Sequence, residues 1–123
     1  MSIPIQVLIV DDKEQVRKDL RTLLALHENI EVVGEAANGV EAIRLIEKLK
    51  PAVILLDLEM PLMDGYEAIK QIKTLPSSPR IIVLTVHGYA AASQKALQAG
   101  ADSFIVKGTT IENLIQAIIK SKS

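Results

Sequence analysis

The chain contains no cysteine and no tryptophan, and its aromatic residues are two tyrosines and one phenylalanine. Without cysteine it has neither disulfides nor thiolate metal sites, which fits a reducing compartment. No apolar stretch reaches the roughly 20 residues of a membrane-spanning helix, and the N-terminus lacks a basic segment leading into an apolar one. Charge of one sign is missing as well. Fourteen basic residues against 15 acidic ones leave a formal net charge of -1, so no overall field draws the molecule to nucleic acid or to an anionic membrane. These absences predict a cytoplasmic protein that neither spans a membrane nor binds nucleic acid directly. What is plentiful is apolar character, 49% of 123 residues. That is enough for the core of one modest domain over residues 1–123, with no room for a second.

Short β-branched runs alternate with longer stretches of helical period. Strands are expected at Gln6 to Val10, Glu31 to Glu35, Val53 to Leu56, Ile81 to Leu84 and Ser103 to Val106. Between them, Val16, Leu20, Leu23, Leu24 and His27 share one helical stripe, and Ala42, Leu45, Ile46 and Leu49 a second. Ala68, Ile69, Ile72 and Leu75 make a third, and Ile111, Leu114, Ile115 and Ile118 the last. The fourth helix, Tyr89 to Ala99, is alanine-rich and weakly patterned. Pro51, Pro76 and Pro79 fall between elements, and Gly100 stands where a left-handed cap would end the fourth helix. The first and third strands are nearly all apolar, as interior parallel strands must be. Five βα repeats with right-handed crossovers predict an α/β fold: a five-stranded parallel sheet of order 2-1-3-4-5 with five helices on its two faces.

Four of these strands run into polar groups: Asp11 and Asp12, Asp57, Thr85, and Lys107. Parallel strands bring such ends together at the carboxyl edge of the sheet, where open α/β folds place their ligands. Carboxylates, a hydroxyl and an ammonium at one spot suit a divalent metal and a phosphoryl group. A carboxylate held there can attack phosphorus and form an acyl phosphate, provided the charge between the two anions is neutralised. Each residue also has a plainer reading. Asp12 could cap a helix beginning near Glu14, Thr85 alone is an ordinary strand residue, and Lys107 alone is a surface charge. His27 reads as a semi-buried packing residue on its stripe, while Asp64 and Gly65 read as an N-cap and a tight entry to the third helix.

The residues become specific when taken in order. Val10-Asp11-Asp12, then Leu55-Leu56-Asp57-Leu58-Glu59-Met60-Pro61-Leu62-Met63-Asp64-Gly65, then Val83-Leu84-Thr85, then Ala99-Gly100-Ala101-Asp102 and Phe104-Ile105-Val106-Lys107 resemble the receiver domain of two-component response regulators. The match runs from about residue 5 to residue 119. The resemblance implies a flavodoxin-like, doubly wound sheet. It implies that Asp57 is the phospho-acceptor, served by Mg²⁺ on Asp11, Asp12, Asp57 and the backbone carbonyl of Glu59. Lys107 and Thr85 would meet the phosphoryl oxygens. Thr85 and Phe104 would form a switch acting on the face of the fourth helix, fifth strand and fifth helix, against the plainer reading of Phe104 as core. Glu59 and His87 would overhang the phosphoryl group and tune dephosphorylation. The implied partners are a sensor histidine kinase or phosphotransfer protein, and a second copy of the chain on phosphorylation.

Two departures from the commonest family pattern point to the class with a C-terminal helix-turn-helix, the LuxR type. Gly108 stands after the lysine in place of the usual proline, and Val86 follows Thr85 in place of alanine or smaller. The expectation is the receiver part of a transcriptional regulator, the alternative a stand-alone receiver signalling by protein contact. A flavodoxin-like cofactor binder would want a Ser/Thr/Gly phosphate loop where Asp11-Asp12-Lys13 stands. An aspartyl-phosphate phosphatase would want a second acid two residues after the nucleophile with a small residue following, and here Glu59 is followed by Met60 and Pro61.

Overall fold

The computed structural model describes residues 3–58, 65–85 and 90–122. Among them, strands and helices alternate without exception: β1 (Ile5–Val10), α1 (Glu14–Leu24), β2 (Ile30–Ala36), α2 (Gly39–Leu49) and β3 (Val53–Asp57), then α3 (Gly65–Lys73), β4 (Arg80–Thr85), α4 (Ala90–Ala99), β5 (Ser103–Val106) and α5 (Ile111–Lys122). Every strand pairing is parallel. The sheet order is β2-β1-β3-β4-β5, as the alternation of the sequence predicts.

The near-continuous apolar strands lie where both faces are covered. Every residue of β3 is buried, and every residue of β1 except Gln6. Because successive strand side chains point to opposite faces, these runs feed two separate layers. Leu8, Val10, Ile54, Leu56, Ile81 and Val83 pack with Ile46 of α2, Ile69 and Ile72 of α3, and Ala96 of α4. Val7, Ile9, Val53, Leu55, Ile82 and Leu84 pack with Leu24 of α1 and with Leu114 and Ile118 of α5. Fully burying one such aliphatic side chain is worth about 2 kcal/mol, so the sheet is anchored most strongly at its centre, beneath the ends of β1 and β3.

The elements run slightly past their apolar stretches, since ladder hydrogen bonding does not stop where apolar residues do. β2 begins at Ile30 and β4 at Arg80, and β3 takes in Asp57 and β4 Thr85. The first helix is the main correction. It ends at Leu24, so His27 lies beyond it. His27 N–H donates to Leu24 O at 3.0 Å and Ile30 N–H to His27 O at 3.1 Å, turns that carry the chain into β2. His27 is half-buried as expected, but its Nδ1 accepts from Asn29 N–H outside the helical stripe.

Three local features set the approach to the site. The β1–β2 register slips between Val7, opposite Val32, and Leu8, opposite Gly34; the extra residue makes a bulge in β2 and brings Glu35 level with Ile9. The Asn38 side chain caps α2 through Glu41 N–H at 2.9 Å. After α4, Gly100 takes φ +123°, with Gly100 N–H donating to Leu97 O and Ala101 N–H to Ala96 O, both at 3.0 Å. This is the glycine-terminated helix end expected there. At the start of α3, a Cβ on Gly65 would lie 2.5 Å from Leu58 Cα, so only glycine lets that helix pack on the chain just past Asp57.

Candidate functional site

The site follows from two central strands that end together. Val10 is in register with Leu56, so the residues that follow them, Asp11 and Asp57, stand side by side at the carboxyl edge of the sheet. One carboxylate oxygen from each of Asp11, Asp12 and Asp57 can be chosen so that all lie within 4.8 Å of one another. Asp11 and Asp57 are buried and Asp12 faces solvent. From β5, two strands away from β3, Lys107 brings its Nζ to 3.3 Å from Asp57 Oδ1 and 3.4 Å from Asp11 Oδ2. Burial by itself would lower the Lys107 pKa; the negative charges of Asp57 and then Asp11 outweigh it and hold it above the ordinary lysine value. The ammonium is therefore charged throughout the neutral range.

The loop after β1 is shaped by Asp11. Its Oδ1 accepts from Lys13 N–H at 2.9 Å, and its N–H extends the sheet to Ala36 O at 3.0 Å. Lys13 is the N-cap of α1 and makes no side-chain capping bond, so the plainer reading of Asp12 as the helix cap does not hold. Donors of this kind suit a hard divalent cation: all are carboxylate oxygens, and one stands on the solvent side where water completes the shell. Two buried carboxylates share one ammonium, an arrangement with net negative charge left to neutralise.

The remaining predicted residues are placed unequally. Thr85 ends β4 in register with Val106, while its side chain lies outside what is described. Phe104 is half-buried against the core layer that also takes in Ala96 of α4. Glu59, Val86 and His87 lie outside the described residues, as do Asp64 and Tyr89. Gly108 takes φ +95°, with open space for 4 Å around the point where a Cβ would stand, and Thr109 N–H closes a turn onto Val106 O at 3.2 Å. The peptide bonds of the described residues are all trans, in keeping with glycine in place of proline after the lysine. A groove of ≈330 Å³ opens beside Lys107 between α1 and the start of α5, walled by Val16, Leu20, Leu23, Ile111 and Leu114.

Two sets of ion pairs were given no role from the sequence, one beside the site and one at the opposite, amino edge of the sheet before β5. Arg17 Nη1 donates to Asp11 O at 2.7 Å and its Nε to Glu35 at 3.1 Å, with Arg21 Nε on the other Glu35 oxygen at 2.7 Å. Asp102 accepts from Ile81 N–H at 2.8 Å and from Lys73 Nζ at 2.9 Å. Burial would raise both carboxyls, but the cationic and hydrogen-bond partners prevail and hold Glu35 and Asp102 below the usual carboxylate range.

A carboxylate triad and a lysine at the carboxyl edge of a 2-1-3-4-5 sheet define a signalling receiver. The model of the response regulator receiver domain family matches residues 7–119, and the chain belongs to that family. Within it, the chain is of the kind carried by LuxR-type regulators. It is 47% identical over 112 residues, 90% of this chain and 52% of the relative, to the uncharacterized transcriptional regulatory protein YhcZ of Bacillus subtilis. The receiver domain of a putative response regulator NarL from Mycobacterium tuberculosis superposes with a TM-score of 0.93 at 30% identity, covering 98% of both chains. A DNA-binding response regulator of the LuxR family from Staphylococcus aureus gives 0.88 at 29% identity, covering 97% of this chain and 99% of that one. The chain spans about half the length of the curated relatives it matches. Among the described residues, no helix is long and apolar enough to cross a membrane.

Proposed function

We propose that Asp57 accepts a phosphoryl group from a phosphohistidine on a sensor histidine kinase or phosphotransfer protein, and that the chain assists both this transfer and the later hydrolysis. The observation that carries the reading is the position of Lys107, 3.3 Å from Asp57 and 3.4 Å from Asp11, at the edge of a three-carboxylate cluster. An Asp57 oxygen attacks phosphorus as the phosphorus–nitrogen bond breaks, and the departing imidazole nitrogen keeps the electron pair and takes a proton. Asp11, Asp12, Asp57 and the backbone carbonyl of Glu59 would hold Mg²⁺, which supplies the charge neutralisation that lets one anion approach another. Lys107 is charged and already at the acceptor, so it needs only a short movement to meet the new phosphoryl oxygens. Thr85 would donate its hydroxyl to another of those oxygens, and Glu59 and His87 would govern how water reaches the phosphorus.

Output would pass through Thr85 and Phe104. Drawing Thr85 inwards would make room for the Phe104 ring, and α4 would change its packing together with β5 and α5. The groove beside Lys107 would receive the donor protein, since its apolar walls adjoin the acceptor. We read residues 1–123 as one receiver unit of a cytoplasmic transcriptional regulator, capable of pairing with a second copy when phosphorylated; the alternative is a receiver that signals alone by protein contact. The test is a small acyl phosphate with Mg²⁺. It is expected to add one acid-stable, base-labile phosphoryl group to the wild type and none to Asp57→Asn, as read by intact mass. Comparable modification of the variant would end the assignment.

A further inference from the structure

The peptide group between Asp11 and Asp12 joins two members of the carboxylate cluster, and its carbonyl is gripped from outside the cluster. Asp11 O accepts from Arg17 Nη1 at 2.7 Å. Arg17 lies on the first turns of α1, and its side chain is 16% exposed. The guanidinium does not swing freely, because its Nε is fixed to Glu35 Oε1 at 3.1 Å while Arg21 holds Glu35 Oε2 at 2.7 Å. Glu35 is in reach because the β2 bulge brings it level with Ile9. A planar guanidinium serves two acceptors in different directions with one rigid group, which an ammonium does less well.

Rotation of the Asp11–Asp12 peptide would swing Asp12 relative to Asp57, and Asp12 is the cluster member not buried by the core. Asp11 is otherwise tied by its N–H to Ala36 and by its carboxylate to Lys13 and Lys107. Its carbonyl is the remaining handle on the peptide plane. The Arg21–Glu35 pair already ties α1 to β2, so a tie between those elements does not by itself require Arg17 to reach Asp11.

Resting on the reading of the cluster as the Mg²⁺ site, we propose that Arg17 is a positioning residue for it. By fixing the carbonyl between Asp11 and Asp12, it presets Asp12 for the cation. Groups one layer behind a metal's ligands commonly set its affinity by about tenfold or more.

The test measures Mg²⁺ affinity of the full chain from the dependence of the thermal midpoint on Mg²⁺ concentration, alongside the rate of Asp57 phosphorylation by a small acyl phosphate. Arg17→Ala is expected to weaken Mg²⁺ binding about tenfold. Its phosphorylation is expected to be slow at limiting Mg²⁺ and to recover when Mg²⁺ saturates. Arg21→Ala, which loosens Glu35 without touching Asp11, is expected to change Mg²⁺ affinity far less, and Arg17→Lys to fall between Arg17→Ala and wild type. An unchanged affinity in Arg17→Ala, or equal losses in Arg17→Ala and Arg21→Ala, overturns the proposal. If Arg17→Ala does not fold, Arg17→Lys and Arg17→Gln carry the comparison on the same terms. Asp12→Ala separates the two levels. Mg²⁺ binding that survives it refutes the metal site itself, whereas binding lost in Asp12→Ala but intact in Arg17→Ala refutes only the role of Arg17.

Discussion

Asp57 and Asp11 are buried carboxylates with an ammonium between them, and Asp12 adds a third negative charge at the solvent side. Like charges so close repel one another, and a cation that binds only the folded arrangement stabilises it by mass action. Millimolar Mg²⁺ is therefore expected to raise the thermal midpoint of the wild type and to leave that of Asp12→Ala unmoved. A wild-type midpoint indifferent to Mg²⁺ would count against the whole cluster. That Asp11, Asp12, Asp57 and Lys107 come together was legible because they follow apolar runs that mark the ends of parallel strands. Arg17 was not legible in the same way. Its partner Glu35 depends on a bulge in β2, for which Gly34 inside the strand pattern is the one local sign.

At the amino edge of the sheet, away from the site, side chains tie strands and helices in pairs. Asp102 joins the segment before β5 to the start of β4 through Ile81 N–H, and to the end of α3 through Lys73. Its folded pKa lies below the ordinary value of 3.8, so its contribution is present above the unfolded pKa and is lost as pH falls through the folded one. Asp102→Ala strands the Ile81 N–H and is expected to cost about 1–3 kcal/mol near neutral pH. In an acid titration of stability, the wild type is expected to lose more than Asp102→Asn; parallel curves would show that the charge is immaterial. Asp102 stands in the resemblance, yet its bond to a backbone N–H 21 residues earlier is a matter of tertiary placement that no local pattern carries. The end of α1 misled for a related reason. Residues up to His27 keep a helical period, but the chain must turn early to deliver Ile30 to β2.

The switch belongs to the same scale. Phe104 packs against the core layer that also takes in Ala96 of α4, so a movement of β4 and β5 against each other would be felt in the layer α4 rests on. A phosphoryl group shifts such an equilibrium only through its different affinity for the two arrangements. Thr85→Ala is expected to accept the phosphoryl group yet transmit weakly. Backbone NMR shifts after phosphorylation should spread over 90–99 and 111–119 in the wild type and stay near the acidic loops in the variant. An undiminished distant response in Thr85→Ala would remove it from the switch.

For the whole molecule, sheet order and the two core layers were readable because five apolar strands alternate with four well-patterned helical stripes, and α4 was the faint one because alanine gives little contrast between faces. Charge is balanced at 14 against 15, so no overall basic field draws the chain to nucleic acid. This chain alone is expected to show no sequence-specific DNA binding, phosphorylated or not; a specific shift in a gel with this chain would overturn that.

The salt bridge from Lys107 to Asp11 closes a span of 96 residues. Every neighbouring pair of strands is joined through a helix or a longer excursion, so no two of the site's strands meet through a local hairpin. During synthesis Asp57, the proposed acceptor, emerges well before Lys107, and through that interval the chain has carboxylates without the cation that balances them. On the proposed reading, a donor that requires the assembled edge would spend no phosphoryl groups on unfinished or misfolded copies. The long closure would then make competence to receive a signal a report that folding is complete.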